Sequence, residues 1–387
     1  MNRHIRPFSA LLVLIIICAL CLTNISTLDQ ESSLYEMIIN QETKWISSLQ
    51  LDNGSIPMVS YTLEHNQDIE VNPYFSDLSV LALLQKGKTY QNVVKKYLVW
   101  HLSHLNKNDI HHVTGTISDY MVKADKNGHV LKETTLKVNA KPSYDSTDSY
   151  AATFLSVLNQ YHQICGGTTY LKKMKSSIDQ IFLALQSTYK NGMTYATPSY
   201  KVYYLMDNSE VYQGLSDAIK LYEDLFPQDT RIARMKAMRA AIKKNIMKRM
   251  YNEHTHLYAS ALDESLVPFD TSMKIFYMDA VCQFYPLINS IQSPDSSVST
   301  SLYQSFNQHW STGASKHSWE TLDTPDDYVR GDVVYGAALM HDSKRVNTYL
   351  KYYARYAFKK RHGYPLYNAD IAFVVRAAAY MNKNTRS

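Results

Sequence analysis

Cysteine is scarce: the 387 residues hold 4, and two of these, Cys18 and Cys21, fall inside an N-terminal apolar run. Cys165 and Cys282 alone remain for the body of the chain, which excludes a disulfide framework and leaves at most one bridge open. There is no Gly-rich phosphate loop, no dinucleotide fingerprint and no Cys/His ligand spacing, so neither a cofactor nor a metal is expected. The net charge of +5 is too small to argue for a nucleic-acid partner, and none is expected. Disorder is excluded by composition, with 45% apolar against 19% charged residues. Tyrosine, in contrast, is abundant at 31 copies.

The N-terminus carries an export pattern. Arg3 and Arg6 precede the apolar run Phe8 to Leu22, and Asp29 and Glu31 follow it. Basic residues before and acids after place the rest of the chain outside. The run is short for a spanning helix and lacks a small-x-small cleavage site, so signal peptide and signal anchor both stay open. The expected division is 1–30 as that segment and 31–387 as one domain, either tethered outside the cell membrane or secreted.

Past residue 30, helical periodicity dominates. It predicts helices near 34–49, 74–85, 89–105, 145–163, 167–188, 206–226, 229–250, 271–288, 296–310, 331–340, 342–359 and 368–382. The gaps between them alternate, long then short. Short connections force antiparallel neighbours, so the alternation describes six hairpins with every long loop at one end. The expected fold is all-α: an (α/α)6 toroid of six inner and six outer helices. The segment 231–250 fits an outer position, with Ile232, Met235, Met238, Ile242, Ile246 and Met250 in one stripe and a basic back. Segments 74–84 and 370–381 are apolar nearly all round, as inner helices are. Residues 112–138 alternate around "KNG" and predict a β-hairpin flap over the mouth. His101, His104, His111 and His112 read as surface residues.

Each long loop leads into an inner-helix start, and the starts look alike: "NPYFSDL", "YDSTDSYAATF", "MDNSEVYQGL", "FDTSMKIFYMDA", "DDYVRGDVVYGAAL" and "YNADIAF". Each combines an acid with Tyr or Phe. Two share a tighter form, Asp145-x-x-Asp148-x-Tyr150 and Asp207-x-x-Glu210-x-Tyr212. Such spacing satisfies a capping box, worth about 1 kcal/mol per cap, so capping and chemistry both stay open. Capping alone does not call for the neighbouring aromatics. Tyrosines beside carboxylates suit a sugar, whose C–H face stacks on rings while acids hold hydroxyls. Tyr74, Tyr150, Tyr212, Trp319 and Tyr328 are the candidate platforms.

The helix order, "WISSLQLDNGSIP" (45–57), "NPYFSDLSVLALL" (72–84) and "DSTDSYAATFL" (145–155) together resemble the six-hairpin glycosidase superfamily, in which family-8-like bacterial glycoside hydrolases belong. The resemblance covers roughly 34–382 and implies an (α/α)6 barrel with catalytic acids at inner-helix N-termini and the adjoining loops. By that analogy Asp148 falls where a catalytic or sugar-gripping aspartate lies. The Ser-Glu-Gly motif of family-8 enzymes is missing before residue 74, so Glu64 or Glu70 stands in its place by position only.

Glycoside hydrolysis needs a protonated acid at the leaving oxygen and a second carboxylate for water or the anomeric carbon. Helix N-termini favour ionised carboxyls, which makes Asp148 and Glu210 the expected bases. Glu64 is the expected proton donor, with Asp77 and Glu320 as rivals; Asp145, Asp207 and Asp77 hold hydroxyls or orient water. Carboxylates on different helices across a cavity leave room for water, so inversion is expected. The function that follows is an exported glycoside hydrolase acting on an extracellular or cell-surface polysaccharide. Its alternatives are a non-catalytic carbohydrate-binding or polysaccharide-assembly protein on the same fold, and a lyase or cyclase suggested by "QLDNGSIP" (50–57).

Overall fold

The computed structural model describes residues 31–60, 68–311, 316–326, 328–360, 362 and 366–385. The export segment and Glu64 lie outside these. Among the described residues no helix is long and apolar enough to cross a membrane.

The helices run in chain order as α1 (31–48), α2 (Pro73–Leu83), α3 (Gln91–Ser103), α4 (Asp148–Cys165), α5 (Thr168–Lys173) and α6 (Lys175–Ser187). There follow α7 (Leu205–Leu225), α8 (Arg231–Asn245), α9 (Tyr285–Ile288), α10 (Ser297–Trp310), α11 (Gly331–Leu339), α12 (Ser343–Lys360) and α13 (Asn368–Thr385). Six of them close a ring, each touching the next: α2 on α4, α4 on α7, α7 on α9, α9 on α11, α11 on α13, and α13 back on α2. The others lie outside that ring in alternation, which is the arrangement that six hairpins require. Outer α8 buries Met235, Met238 and Ile242, and a wide turn over Ile246–Met250 continues the same stripe. Inner α2 and α13 are buried along most of their lengths.

Within the ring, α4 and α7 pack backbone to backbone. Gly214 makes this possible: a Cβ there would stand 2.4 Å from the carbonyl oxygen of Ala152. Cys165 and Cys282 are both free thiols, so the one bridge open to the sequence is not made.

Two expected helices differ. The stretch 167–188 breaks at Met174 into α5 and α6. The stretch 271–288 does not start until Phe276, and Tyr277 takes an extended conformation inside it. The run "IFYM" is poor in strong helix formers, the Asp279 carboxylate accepts the Ser272 N–H at 2.8 Å, and Pro286 opens α9 without an N–H of its own. The tyrosine is thereby left on the mouth face.

The expected β-hairpin is present, although none of its strand residues lines the mouth cavity. Strands β2 (Tyr120–Ala124) and β3 (Val130–Thr135) form an antiparallel hairpin, and β1 (Ile69–Val71) adds to its edge with Ile69 opposite Val122. A smaller ladder, Tyr203–Tyr204 with Ala261–Leu262, ties the loops before α7 and α9 together.

Candidate active site

The starts of α2, α4 and α7 enclose a cavity of about 420 Å³. Asn72 caps α2 by accepting the Phe75 N–H at 3.1 Å, and its amide donates to the Tyr150 hydroxyl at 2.7 Å. Tyr150 in turn donates to Asp119 of the hairpin loop at 3.0 Å. Tyr74 stacks on Tyr150, with ring centres 5.9 Å apart, and its hydroxyl donates to Glu210. Asp145, Asp207 and Glu210 line this cavity together with Tyr74, Tyr150, Tyr200, Tyr204 and Tyr277.

The capping explanation does not hold for these acids. The N-cap of α4 is Thr147 and that of α7 is Tyr204, and neither cap receives a side-chain hydrogen bond. Asp145 lies before its helix and Asp207 within the first turn of its own, so both are free for other work.

Their electrostatics divide them. Burial pushes the Glu210 carboxyl well above the ordinary range, and the nearby Asp207 charge adds to this; the Tyr74 hydroxyl and the Arg376 guanidinium pull the other way. Asp207 is pushed up to about 7 by burial and then by Asp145. Asp145 is raised by partial burial alone and is exposed at its tip. It therefore ionises before the other two, and its charge adds to the burial that raises them. This reverses the expectation that Glu210 is a base. Glu210 is the sixth residue of α7, beyond the turn where the helix dipole acts, and at 8% exposure desolvation dominates.

Asp148 is also corrected. It is fully buried, its Oδ1 accepts the Ser149 N–H at 2.9 Å, and it lines neither this cavity nor the one beneath it. The geometry of a helix explains why. Residues two apart point to opposite sides, so the acid and the tyrosine of a D-x-Y pair cannot share a face. In α4 the tyrosine, Tyr150, faces the cavity and Asp148 is turned away. In α7 the acid, Glu210, faces the cavity, while Tyr212 packs outward with Lys243 Nζ 5.8 Å above its ring. Tyr212 is therefore no platform here.

Asp77 is sealed in the core, accepting the Tyr97 hydroxyl at 2.7 Å. His101 stands 3.6 Å away, but burial raises Asp77 and lowers His101, so two neutral groups meet. His101 is accordingly a core residue, stacked 3.5 Å from Phe154, rather than a surface one. Trp319 is 1% exposed and donates to Asn307 at 3.0 Å, which leaves no face for a ligand. Glu320 is paired with Arg345 at 2.9 Å, away from the cavity. Tyr328 stays on the rim: Arg330 lies 5.6 Å from its ring and 4.0 Å from that of Tyr277.

Several residues of the site were not singled out individually by the sequence. Tyr200 and Tyr204 come from the loop before α7, Asp119 from the hairpin, and Tyr277 from the broken helix. Tyr277 feels Arg330, Asp332, Asp145 and Asp207 together, so the starts of α4, α7 and α11 and the lead-in to α9 converge on one space. Below Glu210 the axis continues as a second cavity of about 220 Å³. Every inner helix reaches it, through Leu78, Ser156, Gln213, Ile288, Tyr335 and Arg376. Glu210 borders both spaces.

No family model and no curated protein sequence matches the chain. Solved structures do. A wild-type glycosidase superposes with a TM-score of 0.61 at 9% identity, covering 92% of this chain and 98% of its own. The GH63 mannosylglycerate hydrolase from Thermus thermophilus, in complex with glucose, gives 0.56 at 10% identity over 89% and 99%. A D-mannose isomerase gives 0.53 at 12% identity over 91% and 98%. The fold is one that glycosidases use. An isomerase uses it too, so the likeness speaks for the scaffold, and the chemistry must be argued from the side chains.

Proposed function

We propose that the chain is a six-hairpin glycoside hydrolase whose active site is the cavity at the inner-helix N-termini. One observation carries this reading: a buried carboxyl, Glu210, whose surroundings favour its proton, and a more exposed carboxyl, Asp145, line the same cavity. That is the division of labour that glycosidic cleavage needs.

Glu210 gives its proton to the glycosidic oxygen as the C–O bond breaks. Asp145 takes a proton from the attacking water, and Asp207, between the two in acidity, holds a hydroxyl or relays a proton as the site resets. Tyr74 fixes the orientation of the Glu210 carboxyl by hydrogen bonding. Tyr200, Tyr204 and Tyr277 offer ring faces to the sugar, with Tyr328 further out, while Tyr150, buried and stacked on Tyr74, supports the wall. Because acid and base come from different helices, the reading includes inversion at the anomeric carbon, which the configuration of the first-formed sugar tests by NMR.

Export belongs to the proposal. The order of Arg3 and Arg6, the apolar run and Asp29 supports an extracellular or cell-surface polysaccharide as substrate. Retention of the segment gives a membrane-anchored enzyme and cleavage a secreted one, and N-terminal sequencing of the mature chain separates them. The test of the activity is release of reducing ends from a polysaccharide panel by the wild type and by Glu210→Gln. Release that Glu210→Gln lowers by about 10²–10⁴-fold supports the reading. Binding without release by the wild type would leave a carbohydrate-binding protein instead, and an unsaturated product a lyase.

A further inference from the structure

A second hollow lies on the same face as the mouth. It measures about 410 Å³, close to the mouth cavity in size, and is lined by Tyr251, Asn252, Glu253, Tyr258, Phe269 and Asp270 among others. Its walls are the connection that leaves α8 and the loop that leads toward α9, both at the long-loop end of the ring. A two-residue ladder links it to the mouth. Tyr204, which lines the mouth, pairs with Ala261, while Ala259, two residues earlier, lines the second hollow.

The chemistry repeats that of the mouth. Tyr251 and Tyr258 pack with ring centres 4.9 Å apart at one side, and Phe269 stands 41% exposed at the other. Glu253 and Asp270 are exposed, and among the described residues neither has an ion-pair partner, so both carboxylates are open to hydroxyl donors. On the segment that follows Thr271, which lines the second hollow, Ile275 is 52% and Tyr277 49% exposed, and Tyr277 itself lines the mouth. An exposed ring, Phe269, and a half-exposed one, Tyr251, beside open carboxylates match a sugar chain rather than a protein partner, which needs a wider apolar core.

We propose that this hollow is a distal subsite that holds the continuation of the polysaccharide threaded through the mouth. The inference rests on reading the mouth as a glycan site and adds that the substrate is a polymer long enough to bridge both. The enzyme then cuts within chains, and its affinity rises with chain length because the two contacts are linked.

The test uses the full chain in native gels, each cast with one soluble polysaccharide: a β-glucan, an α-glucan, a galactomannan or chitosan. The variant is Phe269→Ala combined with Asp270→Ala, both on exposed side chains, with a melting curve to show that the fold is kept. The expected result is retardation of the wild type by at least one polymer and an apparent Kd about fivefold weaker in the variant. Binding of a tetrasaccharide of the same sugar stays unchanged. Equal retardation of variant and wild type would overturn the proposal. So would equal weakening for polymer and tetrasaccharide, or no retardation of the wild type on any gel. Retardation sensitive to Phe269 without release of reducing ends would sink the hydrolase reading and leave the distal site standing.

Discussion

Replacing Gly214 by alanine sets two effects of opposite sign against each other. Helix propensity favours the change by about 1 kcal/mol, since Gly214 lies in the interior of α7. Packing opposes it. The new Cβ would stand 2.4 Å from the Ala152 carbonyl oxygen, 2.6 Å from its Cα and 2.7 Å from its carbonyl carbon. Ordinary contact begins at 3.4 Å, so α4 and α7 must part by 3.4 − 2.4 = 1.0 Å. The opposing atoms are backbone and cannot rotate aside, which places the cost toward the top of the roughly 1–3 kcal/mol range for overpacking. The net expectation is a loss of about 1–2 kcal/mol, read as a lower urea midpoint at unchanged m-value. Activity falls further than stability. Asp145 leads into α4 while Asp207 and Glu210 ride on α7, and a displacement of this size at a reacting centre costs on the order of 10²-fold. A variant as stable as the wild type, or more so, would refute the argument, because propensity alone predicts that result. Gly336 is a useful contrast: its added Cβ would meet the Phe284 ring, a side chain that can shift.

The acid cluster fixes the alkaline side of the pH–activity profile, where Glu210 loses its proton. Asp207→Asn removes a charge that raises Glu210, so the limb moves to lower pH; Arg376→Met removes a charge that lowers it, so the limb moves up. Rate profiles of the two variants check the opposite signs. Stability follows a related rule. Burial lifts Asp119 to about 8, so the native state holds a proton that the unfolded chain has released. The Asp119 contribution is therefore full at about pH 4 and below and is lost as pH rises through about 8, so stability across that range falls less steeply in Asp119→Asn, which still accepts from Tyr150; urea titrations across that range measure the slope. Trp319→Phe removes a buried indole N–H that donates to Asn307 and opens a cavity in the core, costing about 1–3 kcal/mol with KM unchanged. A raised KM would restore Trp319 as a sugar platform.

The ring of helices was legible because its signal is redundant. Loop lengths alternate along the whole chain, and the stripe of α8 and the "KNG" hairpin agree with them independently. The site was legible only as a neighbourhood. The D-x-x-(D/E)-x-Y pattern appears twice, yet α4 and α7 are turned differently about their axes, so one offers its tyrosine and the other its acid. That rotation is set by packing, such as Gly214 on Ala152, and leaves no mark in a single motif. Trp319 and Asp77 failed for a similar reason: Asn307 and Tyr97, which satisfy them internally, are 12 and 20 residues away. The environment of Glu210 was missed because the dipole argument considered the helix end and omitted desolvation, which here is larger.

Whether Glu210 gives the proton that cleavage requires is tested most directly with a pair of substrates. An aryl glycoside with a strongly acidic phenol departs without protonation; a polysaccharide does not. On the aryl glycoside, Glu210→Gln keeps its rate within about tenfold of wild type, whereas on the polysaccharide it falls by about 10²–10⁴-fold. Asp145→Asn loses both. Wild-type turnover of the polysaccharide by Glu210→Gln, or full activity of Asp145→Asn on both substrates, would contradict the assignment.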